Sequence, residues 1–230
     1  MTVAELASRA AAAAMAEPDI TPGQWVYRRN AVVAVPGQAD RPVVVERWFT
    51  ADGTTGAAYR QGSLEVGPWA WGVGPDGEGG RGELPEPHIS YAALSSLPDD
   101  PATLVDLLAS TPVPRDDPAW NPGHAFEMIA GLFQLFLMPP AVTARVFRAL
   151  AAIPGVTAEN DAIDVGGNHG AGFVLAGSPG GNQEILVSSQ TYRFRGYQFL
   201  GDSRDIRGSG YGWGIAVLRQ DLVSGPGVRP

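Results

Sequence analysis

The 230-residue chain contains no cysteine and no lysine. The first absence removes disulfides, thiolate metal sites and cysteine nucleophiles. The second leaves arginine as the source of all 16 basic side chains, which, with the abundance of alanine, reflects GC-rich coding rather than a binding device. Against 24 acidic residues the net charge is −8. Neutralising phosphates requires a concentrated basic face, so nucleic acid is not an expected partner. Arg28-Arg29 and the spaced Arg193, Arg195, Arg204 and Arg207 form the local basic clusters. Interleaved with strand residues, they read as a solvated sheet face, with an anionic-ligand site as the alternative. A run of about 18 apolar residues is also missing, so no transmembrane segment is expected in this chain. The opening M-T-V-A-E-L-A-S-R-A lacks the charged and apolar regions of an intact signal peptide.

A hydrophobic content of 44% is enough for a sizeable core, and 30 glycines with 20 prolines imply many turns and long loops. Residues 1–230 read as one domain. Residues 1–18 carry an alanine-rich helix, with Thr2 as N-cap and Glu5 at the third helical position. Strands at 24–35, 42–50 and 57–66, joined by Pro-Gly and A-D-G-T-T-G turns, make a meander across 24–66. A Gly/Pro-rich loop follows over 67–87. Residues 98–153 form a helical insertion with three helices, opened by Asp99 or Asp100 and broken at Pro139-Pro140 and Pro154-Gly155. Residues 156–223 return to strands, about five of them. Strands, then helices, then strands predict an α+β fold with one antiparallel sheet.

The most informative stretch is Glu184 to Gly201, E-I-L-V-S-S-Q-T-Y-R-F-R-G-Y-Q-F-L-G. Ile185 and Val187, then Tyr192, Phe194, Tyr197 and Phe199, mark two alternating strands around a polar turn at Ser188 to Thr191. A helical block ending A-L-A-A-I-P-G-V precedes it. Together these segments resemble an uncharacterised family of membrane-anchored actinobacterial proteins, whose members show a similar R-A-L-A-x-I-P-G-V segment, then a strand, a turn and T-Y-R-F-x-G-Y. The order of elements is similar to the lipoprotein-carrier superfamily, which includes envelope-stress sensors. That resemblance implies a strongly curved antiparallel sheet, an incomplete barrel of about eight to nine strands, wrapped around three to four helices with an apolar cavity between. It also implies an extracytoplasmic, membrane-anchored setting if the natural chain starts upstream of Met1; a native Met1 implies the cytoplasm. An envelope protein is a further implied partner.

Catalytic signatures are scarce. His88, His124 and His169 lack the spacing of a paired ligand motif, so no metal site is expected. Nor does any motif call for a cofactor. His124 sits in the first turn of the second inserted helix, three residues before Glu127. A neutral base is physically allowed there, which makes these two the weak catalytic candidates; capping or surface roles explain them as well. G-G-N-H-G-A-G at 166–172 mimics a phosphate loop, but F-V-L-A follows as a strand, so it reads as a hairpin turn. Asp99-Asp100 and Asp116-Asp117 lie beside prolines and read as caps.

The aromatic side chains carry the binding expectation. Trp25 and Tyr27 on the first strand, Trp48 on the second, Trp69 and Trp71 in P-W-A-W-G, Phe126 and Phe133 on the second inserted helix, and Tyr192, Phe194 and Tyr197 are the candidate ligand-binding residues. The same helix is apolar on more than one face, so it is either buried all round or lines a cavity. Three readings follow: a module holding a lipid or other hydrophobic small molecule between sheet and helices, a cyclase- or isomerase-type biosynthetic enzyme using the same cavity, or a protein-interaction domain with a filled core.

Overall fold

The computed structural model describes residues 1–33, 42–60, 63–67, 91–110, 122–178, 181–200 and 211–230. The elements are α1 (Val3–Met15), β1 (Trp25–Val33), β2 (Val43–Thr50), β3 (Gly56–Arg60), β4 (Ser63–Gly67), a 3-10 turn (Tyr91–Ser96), α2 (Pro101–Ser110), α3 (Pro122–Leu135) and α4 (Pro140–Ala152). They continue with β5 (Val156–Ile163), β6 (His169–Ser178), β7 (Gly181–Val187), β8 (Phe194–Leu200) and β9 (Tyr211–Val223). Among the described residues the strands form one antiparallel sheet of nine, in the order β4-β3-β2-β1-β9-β8-β7-β6-β5. The sheet is open, with β4 and β5 at its edges. The expected α+β class and curved, unclosed sheet are therefore what the chain adopts. The ninth strand arises because the segment expected as one strand over 57–66 is the hairpin β3–β4.

Local chemistry sets the elements. Thr2 and Glu5 close a capping box on α1, with Glu5 N donating to Thr2 Oγ1 at 3.2 Å and Thr2 N to Glu5 Oε2 at 2.7 Å. Leu6, Ala7, Ala10, Ala11 and Ala14 are its buried face, and their small side chains let α1 lie close against α4. Asp100 caps α2 by accepting from Thr103 N at 2.8 Å. Leu132 and Phe133 on α3 and Phe147 and Leu150 on α4 are buried with Phe173 of β6 and Ile185 of β7 in the main core, so the helices cover one face of the sheet.

The sheet's curvature has a visible origin. Register breaks interrupt β1–β9 and each ladder from β5 to β9, whereas the β1–β2 ladder runs unbroken. Each break adds twist. At Gly196 the strands approach so closely that a Cβ would sit 2.2 Å from the Ile215 carbonyl oxygen.

The opposite, outer face is also covered. The tip of the β5–β6 hairpin folds over it, so that Val165 packs with Ala31 and Ala216. This is the 166–172 glycine stretch, and it is a hairpin turn as expected: Asp164 accepts from the backbone N–H groups of Gly166 and Asn168 at 2.9 Å each. Near this tip lies Glu184, 1% exposed. Gln198 Nε2 donates to its Oε2 at 2.6 Å, and to the Ile163 carbonyl at 3.0 Å. The other oxygen, Oε1, is buried without a partner. It lies where a Cβ on residue 172 would stand 2.0 Å away, so Gly172 is required for the carboxyl to fit.

Burial pushes the Glu184 carboxyl up to about 7; the Gln198 hydrogen bond opposes the shift and the charge of Glu159 adds to it. The native state therefore holds this proton to higher pH than the unfolded chain, whose ordinary value is 4.5. The corresponding stability is fully present below about pH 4.5 and is lost as pH rises through about 7. The loss should amount to about 3 kcal/mol. Urea unfolding of wild type and Glu184→Gln at a series of pH values checks this: the variant should lack the decline and be the more stable protein at pH near 8. Parallel curves would show that Glu184 ionises normally.

Candidate functional site

On β1 and β2, Val26, Arg28, Arg47 and Phe49 point towards the helices, while Trp25, Tyr27, Glu46 and Trp48 point outwards. The inward residues anchor the end of α3. This helix has no basic residue in its last turn, so its terminal carbonyls lack a cation from their own segment. The sheet supplies two. Arg28 Nη1 donates to the carbonyls of Phe133 and Gln134 at 3.1 Å each, and Arg47 Nη2 to that of Gln134 at 2.9 Å. Both guanidinium groups lie over the Phe49 ring, at 4.8 and 5.2 Å. Arg28 is 2% exposed, so the solvated face expected for Arg28-Arg29 holds for Arg29 alone. Burial, and then the charge of Arg47, hold Arg28 well below the usual guanidinium range, and burial brings Arg47 down to about 10. Both stay charged at neutral pH.

Beside this anchor the packing leaves a cavity of about 340 Å³. Its walls come from the end of α1 and the chain after it (Ala14, Glu17, Pro18, Ile20), the segment joining α3 to α4 (Phe136 to Met138) and the start of α4 (Pro140, Thr143, Phe147). The turn before β8 contributes Tyr192 and Arg193, the start of β8 contributes Phe194, and β9 contributes Gln220, Asp221 and Leu222; Arg28 and Phe133 line the inner end. Phe133 stacks on Phe194 with centroids 4.7 Å apart and planes within 4°, and contacts Phe147 at 4.8 Å. These contacts fix one apolar wall in place, since each such pair contributes about 1 kcal/mol beyond its buried area. The polar side chains at the mouth are engaged. Glu17 pairs with Arg193, Asp221 with Arg219 at 2.7 Å, and Tyr192 Oη accepts from Arg9 Nη1 at 2.7 Å.

Of the residues expected to bind ligand, Phe133, Tyr192 and Phe194 come together in this cavity. Phe126 and Tyr197 meet each other in the core, 6.5 Å between centroids, where Tyr197 Oη donates to Gln183 Oε1. Trp25, Tyr27 and Trp48 are on the other face of the sheet. There Trp48 Nε1 donates to the Val228 carbonyl at 2.6 Å, and Arg229 forks onto Glu46, so the C-terminal tail packs against this face. Trp69, Trp71, His88 and Asp116-Asp117 lie outside the described residues. His124 and Glu127 do not line the cavity, and Glu127 accepts from Gln183 Nε2 at 3.0 Å. His169 is paired with Asp161 at 2.7 Å on the exposed hairpin, and among the described residues no cluster of three metal-ligating side chains exists.

Sequence reading missed Phe147, Gln220 and Leu222, and gave Arg28 an anionic-ligand role only as the alternative to a solvated face. The parity V26-x-R28 was the available signal for Arg28, but both faces of β1 carry apolar residues, so alternation could not say which face is inside. No protein-family model matches the chain, and no curated protein matches it in sequence.

One lining residue is strained. Tyr192 has φ = 56°, in the left-handed region, the sole non-glycine there among the described residues. The expected strand start at Tyr192 is thus a turn residue, and β8 begins at Phe194. Tyr192 N–H donates to the Ser188 carbonyl at 2.9 Å, which holds the turn. Replacing a tyrosine by alanine or glycine ordinarily favours alanine; here Tyr192→Gly should be the more stable of the two by about 1 kcal/mol. Denaturant midpoints for the two variants measure the difference, and alanine in the lead would mean that the turn relaxes in solution.

Proposed function

We propose that the chain is a non-enzymatic binding or sensing module that holds a lipid or other hydrophobic molecule in the cavity between the curved sheet and the α3–α4 segment. The observation that carries this reading is the cavity itself: about 340 Å³, with an aromatic wall of Phe133, Phe147 and Phe194. That volume falls at the small end of ligand sites. Burying ~200 Å² of tail at ~25 cal/mol per Å² would contribute on the order of 5 kcal/mol before association costs. Hydrophobic burial alone is thus a sufficient driving force for weak to moderate affinity.

The enzymatic reading has less support. Glu17, Asp221 and Tyr192 are each held by an arginine, and His124 and Glu127 stand outside the cavity. A setting at the cell envelope, with a lipoprotein-carrier-like relationship, rests on the resemblance carried by Arg148 to Val156 and Glu184 to Gly201. Among the described residues no helix is long and apolar enough to cross a membrane.

Leu222 lines the cavity and is 44% exposed, which makes it the place to block the mouth without disturbing the core. A solvatochromic apolar dye should bind wild type saturably. Leu222→Trp should weaken that binding about tenfold while changing stability by less than about 0.5 kcal/mol. Trp48→Phe, on the other face, should bind dye as wild type does. Absence of saturable binding, or an unchanged affinity in Leu222→Trp, would remove the cavity as the ligand site.

A further inference from the structure

The inner end of the cavity holds a charge with no counter-charge. Arg28 donates from Nε to Gln220 Oε1 at 2.7 Å and from Nη1 to two helix carbonyls. All three acceptors are neutral. Among the described residues Nη2 makes no hydrogen bond, and no carboxylate lies within ion-pairing distance of the guanidinium. The two carboxylates that share the cavity lining cannot serve, because Glu17 is held by Arg193 and Asp221 by Arg219. Arg47 adds a second positive group at the same helix end. A buried cation without an anion is expensive to keep. Its open Nη2 lies on a group that lines the cavity together with Phe133, Phe194 and Leu222.

We propose that the cavity takes a single-chain amphiphilic acid, with its carboxylate accepting from Arg28 Nη2 beside Gln220 and its tail lying along Phe133, Phe194 and Leu222. This rests on the reading of the cavity as a hydrophobic-ligand site. The head is a monoanion of carboxylate size, because one open guanidinium edge satisfies a carboxylate. A phosphate dianion would need further donors, and the other cation of the lining, Arg193, is committed to Glu17. A volume of about 340 Å³ accommodates one chain rather than two.

The test compares ligands with the same tail. Decanoate and decanol are titrated against the full chain at pH 8 by calorimetry, and carboxyl-labelled decanoate is followed by carbon NMR through a pH series. Decanoate should bind about tenfold more tightly than decanol, and its bound carboxyl should titrate at lower pH than the free acid. Arg28→Met should abolish the preference of decanoate over decanol. Because this substitution also strips two α3 carbonyls of a donor, the wild-type comparison and the NMR titration decide even where the variant folds poorly. Equal affinity of the two ligands for wild type would overturn the head-group assignment while leaving the apolar site intact. Persistence of the preference in folded Arg28→Met would overturn it as well. Binding of neither ligand would overturn this proposal, and with absent dye binding the underlying reading too.

Discussion

Two buried arginines at the end of α3 hold the two halves of this protein in register. The helical segment between β4 and β5 is tied to the sheet by the donation of Arg28 and Arg47 to the carbonyls of Phe133 and Gln134. The helix end carries a partial negative charge and four orphan acceptors. The guanidinium groups are therefore at once cap, counter-charge and spacer. Their shared aromatic floor, Phe49, keeps both planes oriented. The chain then leaves α3 extended, and Leu137 N–H donates to the Ala51 carbonyl at 3.0 Å, so the exit path is fixed by the same pair of strands.

The cavity follows from that anchoring. With the end of α3 pinned over β1 and β2, and α4 packed against α1, the seam between the two helix pairs runs over β8 and β9. There the strands bear Phe194 and Leu222 and cannot fill the space. A longer side chain at Thr143 or Ala14 would close it. On the far side of the sheet the opposite solution is used: the C-terminal tail and the β5–β6 tip cover Trp48 and Glu184. One face is thus covered in part by the chain's own loops, and the other is left with room.

Much of the architecture was legible in the sequence. Turn chemistry, proline breaks and the period-two patterns of Glu184 to Gly201 set the class, the order of elements and the hairpin at 166–172. The capping box at Thr2 and Glu5 and the cap at Asp100 were readable because their partners lie three residues away. The site was only partly legible. Phe133, Tyr192 and Phe194 were identified as aromatics. Trp25, Tyr27 and Trp48 were assigned to the same role although they face the tail. Which face of β1 is inside depends on where a helix a hundred positions later docks, and Arg28 meets its acceptors at a separation of 105 residues. No local pattern encodes that distance.

The placement of β9 has a consequence for how the chain reaches this state. β1 and β2 adjoin in sequence and can pair early, but the free side of β1 must wait for β9, about 190 residues later, since Trp25 faces Val223. Until then each meander exposes an unpaired strand edge, a template for association with another copy. Closing so large a loop is slow relative to forming hairpins or helices. On loop entropy alone, the β1–β9 ladder is therefore the contact that closes last. Premature arrest before Tyr211 would leave two half-sheets joined through the helices alone.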